Sequence, residues 1–116
     1  MLSVQGGSRV LLYLGATDMR LSFRGLSAVV YRHLGQPADG AYYVFVNRSR
    51  TRVKILYWDG DGLALWYKRL EKGCFVMPEG AGPTVVLDRR RLALLLEGVI
   101  PLRLKPRFEL APSPPT

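Results

Sequence analysis

The sequence predicts an α+β fold, namely a twisted antiparallel β-meander with an additional N-terminal strand and two helices packed on one face. Three strand-like runs follow one another in the middle of the chain, and the connections between them are short and polar. Apolar residues recur at helical spacing both before and after these runs. The length of 116 residues fits one domain, which we place at 9–104, with a flexible lead-in at 1–8 and a proline-rich disordered tail at 105–116.

The first strand and the first helix are expected to follow the lead-in directly. Residues 9–14 form an apolar run that Gly15 ends, which indicates a strand. Thr17 is a suitable N-cap, and Asp18 would add a favourable negative charge to the first helical turn. The apolar face of this helix consists of Met19, Phe23, Leu26, Val30 and Leu34. Gly25 in the middle of the helix predicts close packing against its backbone.

The meander is expected to contain strands at 41–47, 52–59 and 63–70. The residues at 59–62 read Asp-Gly-Asp-Gly, and both residue types tolerate the positive φ angles of tight hairpin turns. A two-residue turn within that segment and a four-residue loop at 48–51 predict the register of all three strands.

This register assigns the side chains of the meander to two faces. It pairs Lys54 with Tyr67 on one neighbouring strand and with Phe45 on the other. One face then carries core-like residues, namely Val44, Val46, Val53, Ile55 and Ala64. The other face carries aromatic and basic residues, namely Tyr43, Phe45, Arg52, Lys54, Tyr67 and Arg69. Two interpretations of that second face remain open: an exposed platform that stacks nucleic-acid bases, or a second apolar layer whose basic groups reach solvent.

A second helix is predicted near the end of the domain, after short strands at 75–76 and 84–87. Asp88 is its expected N-cap, and either Gly98 or Pro101 ends it. The buried face of this helix consists of Leu92, Leu95, Leu96 and Val99.

The charge of the chain indicates a polyanionic partner. Seventeen Lys and Arg residues against nine Asp and Glu residues give a formal net charge of +8, with a pI near 10.2. DNA, RNA or an acidic protein surface would complement such a charge. No apolar run approaches the roughly 20 residues of a membrane span, so we expect a cytoplasmic protein that does not contact a membrane.

Features of catalytic and metal sites are scarce in the sequence. Cys74 is the one cysteine and His33 the one histidine, so neither an intrachain disulfide nor a zinc site built from these residue types is expected. The 59–62 segment imitates the start of a calcium loop, but Leu63 stands where a third oxygen ligand is needed. We therefore expect no catalytic residues, no bound metal, no cofactor and no small-molecule substrate.

Clustered arginines are the strongest functional signal. Arg89, Arg90 and Arg91 fall in the first turn of the second helix, where positive charge opposes the helix dipole by about 0.3–1 kcal/mol per residue. Positive charge at a position that the helix dipole disfavours indicates an external anion. The side chains that we expect to contact nucleic-acid phosphates are Arg20, Arg24, Arg48, Arg50, Arg52, Lys54, Arg89, Arg90 and Arg91. The alternative is a protein-interaction module in which Trp58 and Trp66 are the binding hot spots.

Several motifs occur in an order that closely resembles one known family. They are Thr17-Asp18-Met19-Arg20, Phe23 with Gly25-Leu26, Tyr43-Val44-Phe45, residues 54–62 and 68–73, Phe75, Pro78, Leu92 and residues 95–98. The resemblance is to the Orf2-like (TnpB) accessory proteins of the insertion-sequence 66 (IS66) transposon family, and it covers about residues 8–100.

This resemblance implies a bacterial accessory protein that is encoded beside a transposase and supports transposition, while the strand chemistry belongs to the transposase. The family has no assigned catalytic residues that could be carried over to this chain. The arginine clusters predict nucleic acid as a partner, in the form of DNA bound with low sequence specificity, and the transposase of the same element is a further expected partner. The alternative is a module that docks on the transposase without contacting nucleic acid.

Overall fold

The computed structural model describes residues 2–100 of the chain. The expected end of the domain at 104 and the expected tail at 105–116 lie outside the described residues. The described elements are β1 (Val10–Ala16), α1 (Phe23–His33), β2 (Tyr42–Val46), β3 (Arg52–Trp58), β4 (Leu63–Arg69), β5 (Thr84–Leu87) and α2 (Arg89–Glu97). Their content confirms the α+β class.

The five strands form one mixed sheet in the order β4-β3-β2-β1-β5. Strands β2, β3 and β4 make the predicted antiparallel meander, and the predicted register is confirmed because Lys54 lies opposite both Phe45 and Tyr67. Strand β1 runs parallel to β2 and antiparallel to β5, so the N-terminal strand lies inside the sheet rather than at its edge. A parallel neighbour requires a crossover connection, and α1 is part of that connection.

The two helices lie on opposite faces of the sheet, so the prediction that both pack on one face is wrong. Leu92 and Leu95 of α2 belong to one apolar cluster, whereas Leu26 and Val30 of α1 belong to the other. Successive strand residues point to opposite faces, and every residue of β2 is buried. A central strand that is apolar throughout needs cover on both sides, which one helix on each face provides.

The aromatic and basic face of the meander is the face that α1 covers. Tyr43 and Phe45 are completely buried, and Lys54 is only 7% exposed. The interpretation as a base-stacking platform is therefore wrong for these residues, because their rings are part of a second apolar layer. Tyr67 lies on the edge strand and is 49% exposed, with the Lys54 ammonium 4.9 Å from its ring centroid.

Helix α1 begins later than predicted, at Phe23, with Ser22 at the N-cap. Thr17 is not the N-cap, because its backbone N–H donates to the Val46 carbonyl and continues the pairing of the sheet. The Asp18 carboxylate accepts a hydrogen bond from the backbone N–H two residues on. Such a local turn competes with helix initiation. Phe23, which was expected on the buried face, is 45% exposed.

Helix α2 has the predicted ends. The Asp88 side chain accepts a hydrogen bond from the Arg91 backbone N–H at 2.7 Å, and Gly98 follows the last turn with a φ of 73°. A glycine tolerates this left-handed conformation without steric cost. Val99 lies beyond the helix and is 50% exposed, so its expected place on the buried face is wrong; it pairs with Cys74 in a single antiparallel bridge.

Candidate nucleic-acid interface

The predicted basic residues occupy opposite ends of the sheet. The turn between β2 and β3 carries Arg48 and Arg50 at one end. Helix α2 begins just after Leu87, which pairs with Val10 at the other end. Strand β2 alone spans about 13 Å between these ends, at about 3.3 Å per residue. The structure therefore does not join Arg89, Arg90 and Arg91, called here the helix-start arginines, to the arginines of the β2–β3 turn.

At the β2–β3 end, arginines from separate parts of the chain converge. Arg20, Arg48 and Arg52 line one open depression of about 500 Å³. The remaining lining comes from the loop after β1, at 17–19, and from residues at the β2–β3 turn, namely Asn47 and Ser49. We call this concavity the basic depression, and we call Arg20, Arg48, Arg50 and Arg52 together the sheet-end surface.

The side chain of Asn47 organises the turn that carries these arginines. Its Oδ1 accepts hydrogen bonds from the backbone N–H groups of Thr51 and Arg52, each at 2.9 Å. Its Nδ2 donates to the hydroxyl oxygens of Ser49 and Thr51 at 3.1 and 3.2 Å. Because the turn is held together from within, the exposed arginines project from a defined backbone.

Arg50 has a left-handed backbone with a φ of 60°, the one positive φ of a non-glycine residue among residues 2–100. Its carbonyl accepts a hydrogen bond from the Phe75 N–H at 2.7 Å, which holds it in that conformation. Glycine adopts this conformation freely, whereas another residue pays about 1 kcal/mol. The presence of arginine here is therefore not explained by the backbone.

The electrostatics of this end are unbalanced. Arg52 lies directly opposite Arg69 in the antiparallel pair, and like charges in that position repel each other. Arg69 bonds Glu71 at 3.2 Å through exposed side chains, a contact worth little. Among the described residues, no carboxylate forms a salt bridge with Arg48, Arg50 or Arg52.

Arg20 is the exception, because it is paired with Asp18. Its Nη2 lies 2.7 Å from the Asp18 Oδ2, and the side-chain and backbone hydrogen bonds from Arg20 lower the pKa of Asp18 to about 2. The pair orients the guanidinium at the rim of the depression. It also places one negative charge there.

Lys54 does not belong to the sheet-end surface, contrary to its prediction as a phosphate contact. Its ammonium donates to the Met19 and Leu21 carbonyl oxygens at 2.8 and 2.7 Å, and the residue is buried. It anchors the loop that carries Arg20. Arg24 is exposed on α1 but does not line the depression.

The residues predicted for a protein interface are also separated. Trp66 is paired with Ile55 and lies on the α2 face of the sheet. Trp58 lies two residues after Leu56 on β3, so it is on the same face of the sheet, the face that α1 covers. It is 40% exposed. Trp66 lines a groove of about 610 Å³ together with Arg89 and Arg90.

Two features are absent from the described part of the chain. Within residues 2–100, no three His, Cys, Asp or Glu side chains are grouped so that they could hold a metal ion. In the same range, no helix has the length and apolar character needed to cross a membrane.

Sequence reasoning missed two residues of this end. The signal that could identify Asn47 is its position before a polar loop, where asparagine is a recognised turn former. The sequence predicts a helix cap at Thr17, whereas its hydroxyl is buried beside the arginines without a hydrogen-bond partner among residues 2–100. Only the tertiary contact between the two loops reveals that placement.

Comparison with known proteins identifies the family. The sequence profile described as IS66 Orf2-like protein matches residues 8–106, which include every element of the fold. The chain belongs to the IS66 Orf2-like family. Its role is therefore an accessory one associated with transposition.

Two proteins of Sinorhizobium fredii are similar to this IS66 Orf2-like chain. The uncharacterized protein y4hO is 38% identical over 92 residues, which cover 78% of this chain and 80% of that one. The uncharacterized protein y4jC is 30% identical over 106 residues, which cover 90% and 91%. No solved structure gives a significant match.

Proposed function

We propose that this IS66 Orf2-like protein is a non-catalytic transposition factor that binds DNA through the sheet-end surface. The observation that carries the proposal is the convergence of Arg20, Arg48 and Arg52 on one depression. These residues come from two loops and one strand. Charges that served only to keep the protein soluble would not have to converge on one depression.

The mode of binding follows from the chemistry of the surface. Guanidinium groups match the geometry of phosphate oxygens and bind them through paired hydrogen bonds. Such contacts position a protein on nucleic acid without reading its sequence. Two aromatic rings on the same face of the sheet, those of Tyr43 and Phe45, are buried, so backbone phosphates rather than bases stacked on these rings are the expected ligands.

The test is fluorescence anisotropy with duplex DNA, single-stranded DNA and RNA between about 50 and 300 mM salt. A variant with Arg20, Arg48 and Arg52 all changed to alanine should bind more weakly. The slope of log affinity against log salt concentration on duplex DNA should become less steep by about 0.9 for each lost phosphate contact.

A matched control removes the same charge from the other end of the sheet. Changing the three helix-start arginines to alanine also lowers the net charge by three, and it should leave most of the affinity. Equal losses in both triple variants would show that total charge matters rather than the sheet-end surface. Absence of binding by the wild-type protein at low salt would refute the proposed function.

A second candidate function, docking on the transposase of the same element, is favoured by the groove beside α2. Its apolar part includes Trp66, Leu92 and Leu96, and Arg89 and Arg90 lie at the same groove. An acidic segment with apolar side chains would complement this combination. Binding to the purified transposase should weaken on changing Arg89 and Arg90 to glutamate and should persist when Arg48 and Arg50 are changed instead.

A further inference from the structure

We infer that the basic depression is a discrete pocket for a phosphate group, and that the Thr17 hydroxyl is one of its donors. This inference rests on the proposed function for the role of the arginines. It goes beyond the proposed function, which requires only positive charge on the surface. The inference assigns one phosphate site with a defined orientation and an uncharged hydrogen-bond donor.

The Thr17 hydroxyl is the first observation. Thr17 is 6% exposed, and its Oγ1 has no hydrogen-bond partner among residues 2–100. The residue lines the basic depression. Its backbone N–H is fixed to the Val46 carbonyl at 3.0 Å, so the side chain is anchored at the end of β1. A buried hydroxyl without a partner is a destabilising feature, and a bound anion would supply the missing acceptor.

The second observation is the number of N–H groups still available at the rim. The Asp18 carboxylate occupies the Nε of Arg20 and one position on its Nη2. A guanidinium has five N–H donors, so the Nη1 group of Arg20 stays available for a ligand. Arg48 and Arg52 have no salt-bridge partner in the described part of the chain.

The charge of the pocket suits a phosphate. Three arginines and Asp18 line it, so its formal charge is 3 − 1 = +2. This charge matches a terminal phosphate, which carries close to two negative charges at neutral pH. It also exceeds the single charge of an internal phosphodiester. Either source would offer the same phosphate oxygens to Thr17.

The substitution Thr17→Val separates binding from folding because valine has nearly the same shape and lacks the hydroxyl. If the hydroxyl is unpaired in the free protein, the variant should be more stable, with a Tm raised by several degrees. Its affinity for phosphate should nevertheless fall about tenfold or more, which corresponds to the loss of one hydrogen bond to a charged group. Thr17→Ser keeps the hydroxyl and should retain most of the affinity.

The probes are inorganic phosphate, followed by NMR chemical shifts of the backbone amides, and one short oligonucleotide with and without a 5′-phosphate. A loss in Thr17→Val that needs the 5′-phosphate identifies a terminal phosphate as the ligand. An equal loss with both oligonucleotides identifies an internal phosphodiester. Both results support the pocket.

Unchanged phosphate and oligonucleotide affinity in Thr17→Val overturns the inference, whether its Tm rises or falls. In that case a wild-type protein that still binds DNA through the sheet-end arginines leaves the proposed function intact. Conversely, Thr17-dependent binding of inorganic phosphate by a protein that does not bind nucleic acid supports the pocket and refutes the proposed function.

Discussion

The sheet-end surface and the helix-start arginines consist of the same residue type, and most of their members are exposed, but they are built differently. The helix-start arginines are consecutive residues of one helical turn. The sheet-end surface joins a loop after β1 with the β2–β3 turn and a strand, and internal hydrogen bonds hold each part. Consecutive charges need no tertiary structure to lie together, whereas convergence from separate segments depends on the fold. The second arrangement is therefore the better indication of a binding site.

On each side of the sheet, a lysine donates to main-chain carbonyls. Lys54 donates to two carbonyls in the loop that carries Arg20. Lys68 donates to the Leu96 carbonyl near the end of α2, at 2.8 Å. This parallel offers matched substitutions on the two sides of the sheet.

The largest expected effect is that of Lys54→Met, which should lower the free energy of unfolding by about 3 kcal/mol because two carbonyl oxygens lose a charged donor in a buried place. Lys68→Met removes one such bond at a half-buried site and should lower it by about 1 kcal/mol. Urea denaturation measures both. If Lys54→Met is no more costly than Lys68→Met, the loop around Arg20 is not anchored as described.

The local features of this molecule were predictable and the tertiary ones were not. The meander register followed from the Asp-Gly-Asp-Gly turn and the four-residue loop at 48–51, because turn chemistry acts within a few residues. The sides taken by the helices did not follow, since an apolar helix face fits either side of a sheet that is buried on both. The unbroken apolar sequence of β2 was the available signal for two covered faces.

The same distinction applies to the site. Arg48, Arg50 and Arg52 lie at the same end of the β2–β3 hairpin because they fall within five residues of one another, so their common location needs no tertiary contact. The approach of Arg20 to them depends on how the loop after β1 meets the β2–β3 turn. The sequence also suggested a helix at Thr17 and Asp18, since both are good capping residues, and a local turn at Asp18 proved more favourable.

A smaller effect on the free energy of unfolding is expected from replacing, in each region, one arginine that the local backbone or the helix dipole disfavours. Arg50→Gly should raise the free energy of unfolding by up to about 1 kcal/mol by relieving the left-handed backbone. Arg90→Ala should raise it by about 0.5 kcal/mol, since it removes a positive charge from a helix N-terminus. The slope of log DNA affinity against log salt concentration should become less steep by about 0.9 in Arg50→Gly and should stay unchanged in Arg90→Ala.

These two variants therefore separate stability from binding. Thermal unfolding measures the first quantity and anisotropy titration the second. A destabilised Arg50→Gly protein would show that the turn prefers arginine for structural reasons. An equal loss of slope in Arg90→Ala would show that both regions contact DNA.

The smallest effect concerns pH and compares the two Asp–Arg pairs at opposite ends of the sheet. Arg9 lies 2.7 Å from Asp39, whose carboxylate also accepts hydrogen bonds from the Tyr43 hydroxyl and the Ala41 N–H. Burial alone would raise the pKa of Asp39, but these three hydrogen-bond donors together lower it. The Asp18 pair at the other end is more exposed, so solvent screens it more strongly.

A carboxyl group whose pKa is lower in the folded protein stabilises the fold above its unfolded pKa, near 3.9 for aspartate. That stabilisation is lost as the pH falls through the folded pKa. Asp39→Asn should therefore lower the Tm at pH 7, and its difference from the wild type should shrink below about pH 4. Asp18→Asn should show a smaller difference at pH 7. A larger effect at Asp18 would mean that solvent screens the Asp18–Arg20 pair less than the exposure of its side chains indicates.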